Sequence, residues 1–170
     1  MTDGIPAAPG TRTWFRSGPE GFVLLAGRCV TCGTLSFPPP AVPGCADPDC
    51  DGVEQRPHPL STTGTLWSYT DARYVPPPPY PRPPDTEFSP YALAAVELAA
   101  ERMIVLGQVA PDVPASELRV GMPMELVPGV LINATGDAER VWNWRPAGSV
   151  SSVSSVGSTN SAGSDAVVRA

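Results

Sequence analysis

The chain has 170 residues, with seventeen acidic against eleven basic side chains and a net charge of −6, and every basic residue is arginine. That balance lacks the broad positive field of a nucleic-acid binder, and the longest apolar runs, such as YALAAVELAA, are much shorter than the roughly 20 residues of a membrane-spanning helix. Twenty-three prolines rule out long helices over much of the chain, and the single histidine, His58, leaves little material for acid–base or triad chemistry.

In chain order, residues 1–10 are small and proline-containing and read as a flexible N-terminus. The opening MTDGIPAAPGTRTW has neither a basic segment nor an apolar core of an export signal, so a reducing cytoplasm is the expected compartment. From Thr11 a polar cap candidate followed by Trp14 and Phe15 predicts a short helix over 11–17, and FVLLAG predicts a strand over 21–27. The Trp14–Phe15 pair has two readings, a cover for a small core or an anchor for a partner.

The segment 28–51 carries all four cysteines. Cys29 and Cys32 are separated by two residues, twelve more lead to Cys45, and four separate Cys45 from Cys50. Two closely spaced pairs, with Gly33 after the first, read as two knuckles gripping one tetrahedral metal ion, with zinc the expected occupant and iron the alternative. Four sulfur ligands leave no open coordination position, so the predicted metal is structural rather than catalytic. Disulfides are the competing use and are disfavoured in a reducing compartment. Backbone N–H groups near Gly33 and Gly52 are expected to point at the sulfurs, and Arg28 to favour the thiolates.

Residues 51–63 are polar, with Pro57 and Pro59 flanking His58, and read as a connection in which His58 is a solvated linker residue. Beyond it TGTLWSYTDARYV, SPYALAAVELA, RMIVLGQVA, GMPMELVPG and a run around ERVWNWRPA predict five strands, the first with Leu66, Ser68 and Thr70 alternating against Trp67, Tyr69 and Asp71. PASELRVG predicts one helical turn capped by Ser116. Five short strands suggest a small closed barrel, making the chain mainly β: a short helix and metal ribbon over 11–59, then a barrel over 60–147. Between the first two strands, VPPPPYPRPPDTEFSP is eight-sixteenths proline and predicts a stiff extended arm presenting Tyr74, Tyr80, Arg82 and Phe88. Residues 148–170 are Ser/Gly-rich and read as a disordered tail.

Taken together, WFRSGPEGFVLLAGRCVTCG, the FPP at 37–39, GTLWSYT, the proline arm before SPYALAAVEL, and LRVGMPMELVP resemble the DUF35 family over roughly residues 11–147. The resemblance implies a rubredoxin-like zinc ribbon followed by an OB-fold, in a small companion of thiolase-like proteins acting on acyl-CoA substrates. In such families the partner is a lipid-transfer-protein-like aldolase that cleaves a steroid acyl-CoA side chain, a thiolase of anaerobic aromatic degradation, or an archaeal pair of acetoacetyl-CoA thiolase and hydroxymethylglutaryl-CoA synthase. CADPDC at the second knuckle departs from the family's usual CxxC.

No nucleophile elbow, Cys/His pair or phosphate-cradling glycine loop stands in the sequence, so the chain carries no catalytic residue of its own by this reading. The expectation is therefore an accessory subunit, required by a carbon–carbon lyase or thiolase complex in lipid metabolism and assembled as a hetero-tetramer. Trp67, Tyr69 and Tyr74 are candidate contacts for CoA, with Arg73 and Arg82 for its phosphates. Two other readings are a stand-alone acyl-CoA binding protein and an OB-fold nucleic-acid module. The second meets an unfavourable charge: residues 60–147 hold ten acids and six arginines, a net of minus four.

Overall fold

The computed structural model describes residues 5–7, 11–18, 21–77, 80 and 87–149. Its strands are β1 (Phe15–Gly18), β2 (Gly21–Cys29), β3 (Leu35–Ser36), β4 (Gln55–Pro59), β5 (Thr63–Ala72), β6 (Tyr91–Leu98), β7 (Met103–Val109), β8 (Pro123–Ile132) and β9 (Ala138–Pro146). The helical content of the described residues is one 3-10 turn at Ala115–Glu117. Ser116 lies inside that turn rather than capping it; Pro114 holds the cap position and makes no side-chain bond there.

The last five strands close into a barrel in the order β5-β6-β7-β9-β8, with β5 also paired to β8. All barrel pairs are antiparallel except β7 with β9. This is the expected OB-type arrangement, and the alanine-rich YALAAVEL is indeed a strand. Its Ala92, Ala94, Val96 and Leu98 are buried at every second position, a period that suits a barrel wall and not a helix. β8 runs on through Pro128 to Ile132 because, past Glu125, it pairs with β9 alone, and a proline is tolerated where no second neighbour needs its N–H.

The N-terminal sheet is built on β2, which pairs with β1, β3 and β4. The helix expected over 11–17 is absent. A single turn closes from Trp14 N to Thr11 O, at 2.9 Å, after which β2 captures the backbone: Leu25 N donates to Trp14 O at 2.7 Å and Phe15 pairs with Leu24. Sheet pairing outweighs the weak local helix signal. The polar stretch read as a connection likewise carries β4, where His58 pairs with Ala26 and is half-buried rather than free. Pro57 and Pro59 are compatible with this edge strand, which lacks a second neighbour to receive their missing N–H.

Ribbon and barrel share one apolar core. Phe15, Leu24, Ala26 and Leu60 join Leu66, Val96, Leu98, Met124 and the fully buried Trp144 in a single cluster. Trp14, Phe37 and Trp142 seal its side, with ring centroids 5.7–6.2 Å apart. Trp14 and Phe15 are thus inner packing, the first of their two readings. Glu101 in the β6–β7 hairpin adds a polar tie, its Oε1 accepting from Ser61 N at 2.8 Å and Ser61 Oγ at 2.9 Å. Pro6 O accepts from Arg140 N and Ala7 bridges Arg140, so part of the N-terminus is held on β9. Residues 1–4, 8–10 and 150–170, which contain the expected loose ends, lie outside the described residues.

Candidate metal centre and ligand surfaces

The four sulfurs converge. Cys29 ends β2, Cys32 closes the first knuckle, and Cys45 and Cys50 come from the loop before β4; their Sγ atoms all lie within 4.8 Å of one another. Cys32–Cys45 is 3.5 Å and Cys29–Cys50 is 3.9 Å. A tetrahedral ion with zinc–sulfur bonds of about 2.3 Å sets neighbouring sulfurs about 3.8 Å apart, whereas a disulfide needs about 2.05 Å. The cysteines are free thiols at metal-binding spacing.

Local geometry explains why this sequence holds them there. Gly33, at φ 82°, turns the first knuckle and donates its N–H to Cys29 O at 2.9 Å. The longer second knuckle is taken up by Asp47: its N–H donates to Cys45 Sγ at 3.4 Å, its Oδ1 accepts from Asp49 N at 3.0 Å, and its carbonyl accepts from Cys50 N at 3.2 Å. CADPDC therefore reaches the same four-sulfur geometry through an Asx-type turn. Gly52 N donates to Cys50 Sγ at 3.4 Å, and a Cβ there would stand 2.8 Å from Cys29 Sγ. The position is closed to any side chain.

The thiols do not ionise alike. Cys32 is held down to about 6 by the Thr34 hydroxyl and the Thr34 backbone N–H, and Cys29 is lowered chiefly by the N–H of Cys32. At Cys45 the Asp47 N–H is the largest single influence and lowers the pKa, but burial and the neighbouring cysteines outweigh it and push the group up to about 12. At Cys50 the Gly52 N–H pulls downward, yet Cys32 and burial raise the thiol. Four sulfurs this close cannot all become thiolates without a compensating cation, and a divalent ion supplies it. The donor set fits a metal of the zinc or iron type.

The described residues expected to bind CoA do not line a single cavity. A bulge at Trp67 interrupts the β5–β6 register, pairing Leu66 with Val96 but Ser68 with Ala95. The simple alternation of the sequence therefore fails: after the bulge Tyr69 and Asp71, not Ser68 and Thr70, pair with the buried Ala94 and Ala92. Trp67 is 59% exposed and Tyr74 72% exposed. Arg73 donates to Asp71 at 2.7 Å and lines a cavity of about 490 Å³ at the end of the barrel, a cavity whose walls do not include Trp67, Tyr69 or Tyr74. Arg82 lies outside the described residues. Sequence reasoning missed Gln108 and Asn143 in that cavity, because each sits in a strand with nothing local to set it apart.

Residues 57–128, from β4 into β8, match the family model described as "ChsH2, C-terminal OB-fold domain". A solved structure titled "Ltp2-ChsH2(DUF35) aldolase" is similar at 27% identity, covering 74% of this chain and 85% of that one, with a TM-score of 0.52. The chain is thus similar to a DUF35 protein in sequence and in fold. The solved match covers more of the chain than residues 57–128 supply. No helix among the described residues is long and apolar enough to cross a membrane.

Proposed function

We propose that this chain is a DUF35 protein and the accessory, non-catalytic subunit of a two-component aldolase acting on an acyl-CoA, with a thiolase-like subunit as its partner. The observation that carries the reading is the likeness to the DUF35 component of an aldolase over three-quarters of the chain. The reaction proposed is retro-aldol cleavage of a β-hydroxyacyl-CoA, with a steroid side chain as the preferred acyl group; thiolysis of a β-ketoacyl-CoA by a similar pair is the second reading, favoured by the resemblance alone. The metal is proposed to be zinc, one per chain, in a purely structural role.

The outer barrel surface supports a subunit role. Leu93, Ile104 and Leu106 stand exposed on one face of β6 and β7, with Leu106 66% exposed. The aromatic residues Trp14, Phe15 and Phe37 are already used inside, so a partner is proposed to meet this barrel face instead. In the complex the partner supplies acid and base, while this chain positions the thioester and excludes water. A hetero-tetramer, two copies of each chain about a two-fold axis, is the proposed assembly.

The test is reconstitution with the thiolase-like partner and steady-state assay of β-hydroxyacyl-CoA cleavage. Activity in the mixture and in neither chain alone is the expected result. Full activity of the partner by itself would overturn the proposal.

A further inference from the structure

The cavity of about 490 Å³ sits where β5 ends, β6 begins and β7 ends, lined by Tyr80 and by Val109–Pro111 and Val113–Ser116. Its size falls in the range of about 300–1,000 Å³ that holds small ligands. Three features define its chemistry. At its wall Asn143 is 6% exposed, and its Oδ1 is buried with no hydrogen-bond partner among the described residues. Gly129 makes room for that amide, since a Cβ there would meet Asn143 at 2.6 Å. Such an orphan acceptor is costly unless a donor reaches it.

The second feature is aromatic. Tyr80 stacks on Tyr91 with centroids 5.6 Å apart and planes 11° from parallel, and Gln108 Nε2 fixes the Tyr80 hydroxyl at 2.7 Å. Burial and Tyr80 both raise the Tyr91 phenol, which keeps it a neutral O–H donor. The third is charge at the rim. Arg73 gives its Nε to Asp71, and among the described residues its two terminal amino groups remain for another anion.

We propose that this cavity seats the adenine nucleotide end of a ligand: the exocyclic amine donates to Asn143 Oδ1, the ring lies against the tyrosine pair and the Val109–Ala115 wall, and phosphate meets Arg73. Hydroxyl donors at Tyr91 and Ser116 suit the acceptor nitrogens of an adenine ring, whereas a hypoxanthine carbonyl would face the Asn143 oxygen. The identification of the ligand as CoA rests on the acyl-CoA reading above; the binding itself does not. This moves the nucleotide contact away from Trp67 and Tyr69.

The test is isothermal titration of the full chain, without partner, with adenosine 3′,5′-bisphosphate. Binding is expected, at least ten-fold weaker for the inosine analogue and at least ten-fold weaker for Asn143→Ala. Arg73→Gln, at an exposed position, is expected to weaken the bisphosphate and leave adenosine unchanged, which keeps the proposal testable if Asn143→Ala folds poorly. A preference for the 3′,5′-bisphosphate over 5′-AMP would mark CoA as the source, and equal affinity a general adenine nucleotide. No binding, equal binding of the inosine analogue, or indifference to both substitutions would overturn the proposal. A reconstituted aldolase that is active with an unaltered KM in Arg73→Gln and Asn143→Ala would sink it while leaving the subunit reading intact; nucleotide binding without any aldolase activity would do the reverse.

Discussion

The ribbon and the barrel are stabilised by different physics. The barrel closes its hydrogen bonds around a ring of strands and fills its centre with Leu66, Val96, Leu98, Met124 and Trp144. The ribbon has short strands, one of only two residues, and between β3 and β4 it runs eighteen residues without regular structure. A loop of that length contributes little burial, and the four sulfurs hold it where apolar area cannot. Yet β2 belongs to both regions, with Leu24 and Ala26 in the shared core and Cys29 at the metal site. The comparison teaches that the metal's influence need not stop at the ribbon.

The largest effect should come from removing a sulfur ligand. Apparent zinc-binding free energies of structural sites are on the order of 10 kcal/mol, so Cys32→Ser should strip the metal, unfold the 30–54 loop and lower the stability of the barrel through β2. Elemental analysis and circular-dichroism melting with and without a strong chelator measure this. Acid should act in the same direction, because metal binding expels protons from thiols such as Cys45, which lies near 12 without an ion. In the metal-free chain the lowered Cys32 thiol contributes stability above its unfolded pKa that is lost as the pH falls through about 6. A protein that melts identically with and without its metal would break the comparison.

Next is the barrel's own core. Trp144 is fully buried, and its replacement by alanine should cost about 3–5 kcal/mol. Urea unfolding should show the loss while the folded fraction still binds its metal, because no sulfur moves. Loss of the metal in native buffer at the same time would mean that ribbon and barrel are one cooperative unit.

Trp142 sharpens the comparison, since it touches Trp14, Phe15 and Phe37 at the seam and donates Nε1 to Leu106 O at 3.0 Å. Being only partly buried, it should cost about 2 kcal/mol on truncation to alanine. The more telling readout is coupling. In Trp142→Ala, adding chelator should shift the barrel's melting less than it does in the parent chain, a double-cycle comparison of two transitions. An unchanged chelator shift would place the coupling in β2 alone.

What was legible in the sequence follows the same division. Cysteine spacing and the period-two strands are local signals, so the four-sulfur site and the five barrel strands could be read from them. The longer Cys45–Cys50 knuckle could not be resolved by spacing, because the Asp47 side chain that completes its turn acts through hydrogen bonds to Cys45 and Asp49. The helix expected at 11–17 failed because β2 supplies pairing partners that no window around Trp14 contains. Trp67 and Tyr69 are both exposed, but the register between them was not legible. A one-residue bulge is invisible to alternation, and it changes the phase of everything after it.

That bulge makes Trp67 the smallest predicted effect on folding and the cleanest probe of function. The side chain is 59% exposed, sits at an irregularity in the ladder, and belongs to neither the apolar cluster nor the seam. Trp67→Ala should therefore change stability by no more than about 0.5 kcal/mol, the usual range for an exposed site. In the reconstituted complex two outcomes separate its roles. If Trp67 lies against the acyl-CoA in ground and transition states alike, KM rises and kcat holds, since uniform binding is lost. If it instead belongs to the partner-facing surface with Leu106, the variant should assemble more weakly, visible by analytical ultracentrifugation, and full activity should return at high subunit concentration. A fall in kcat in a fully assembled variant would contradict both readings, because it would require an exposed barrel residue to act on the reacting atoms.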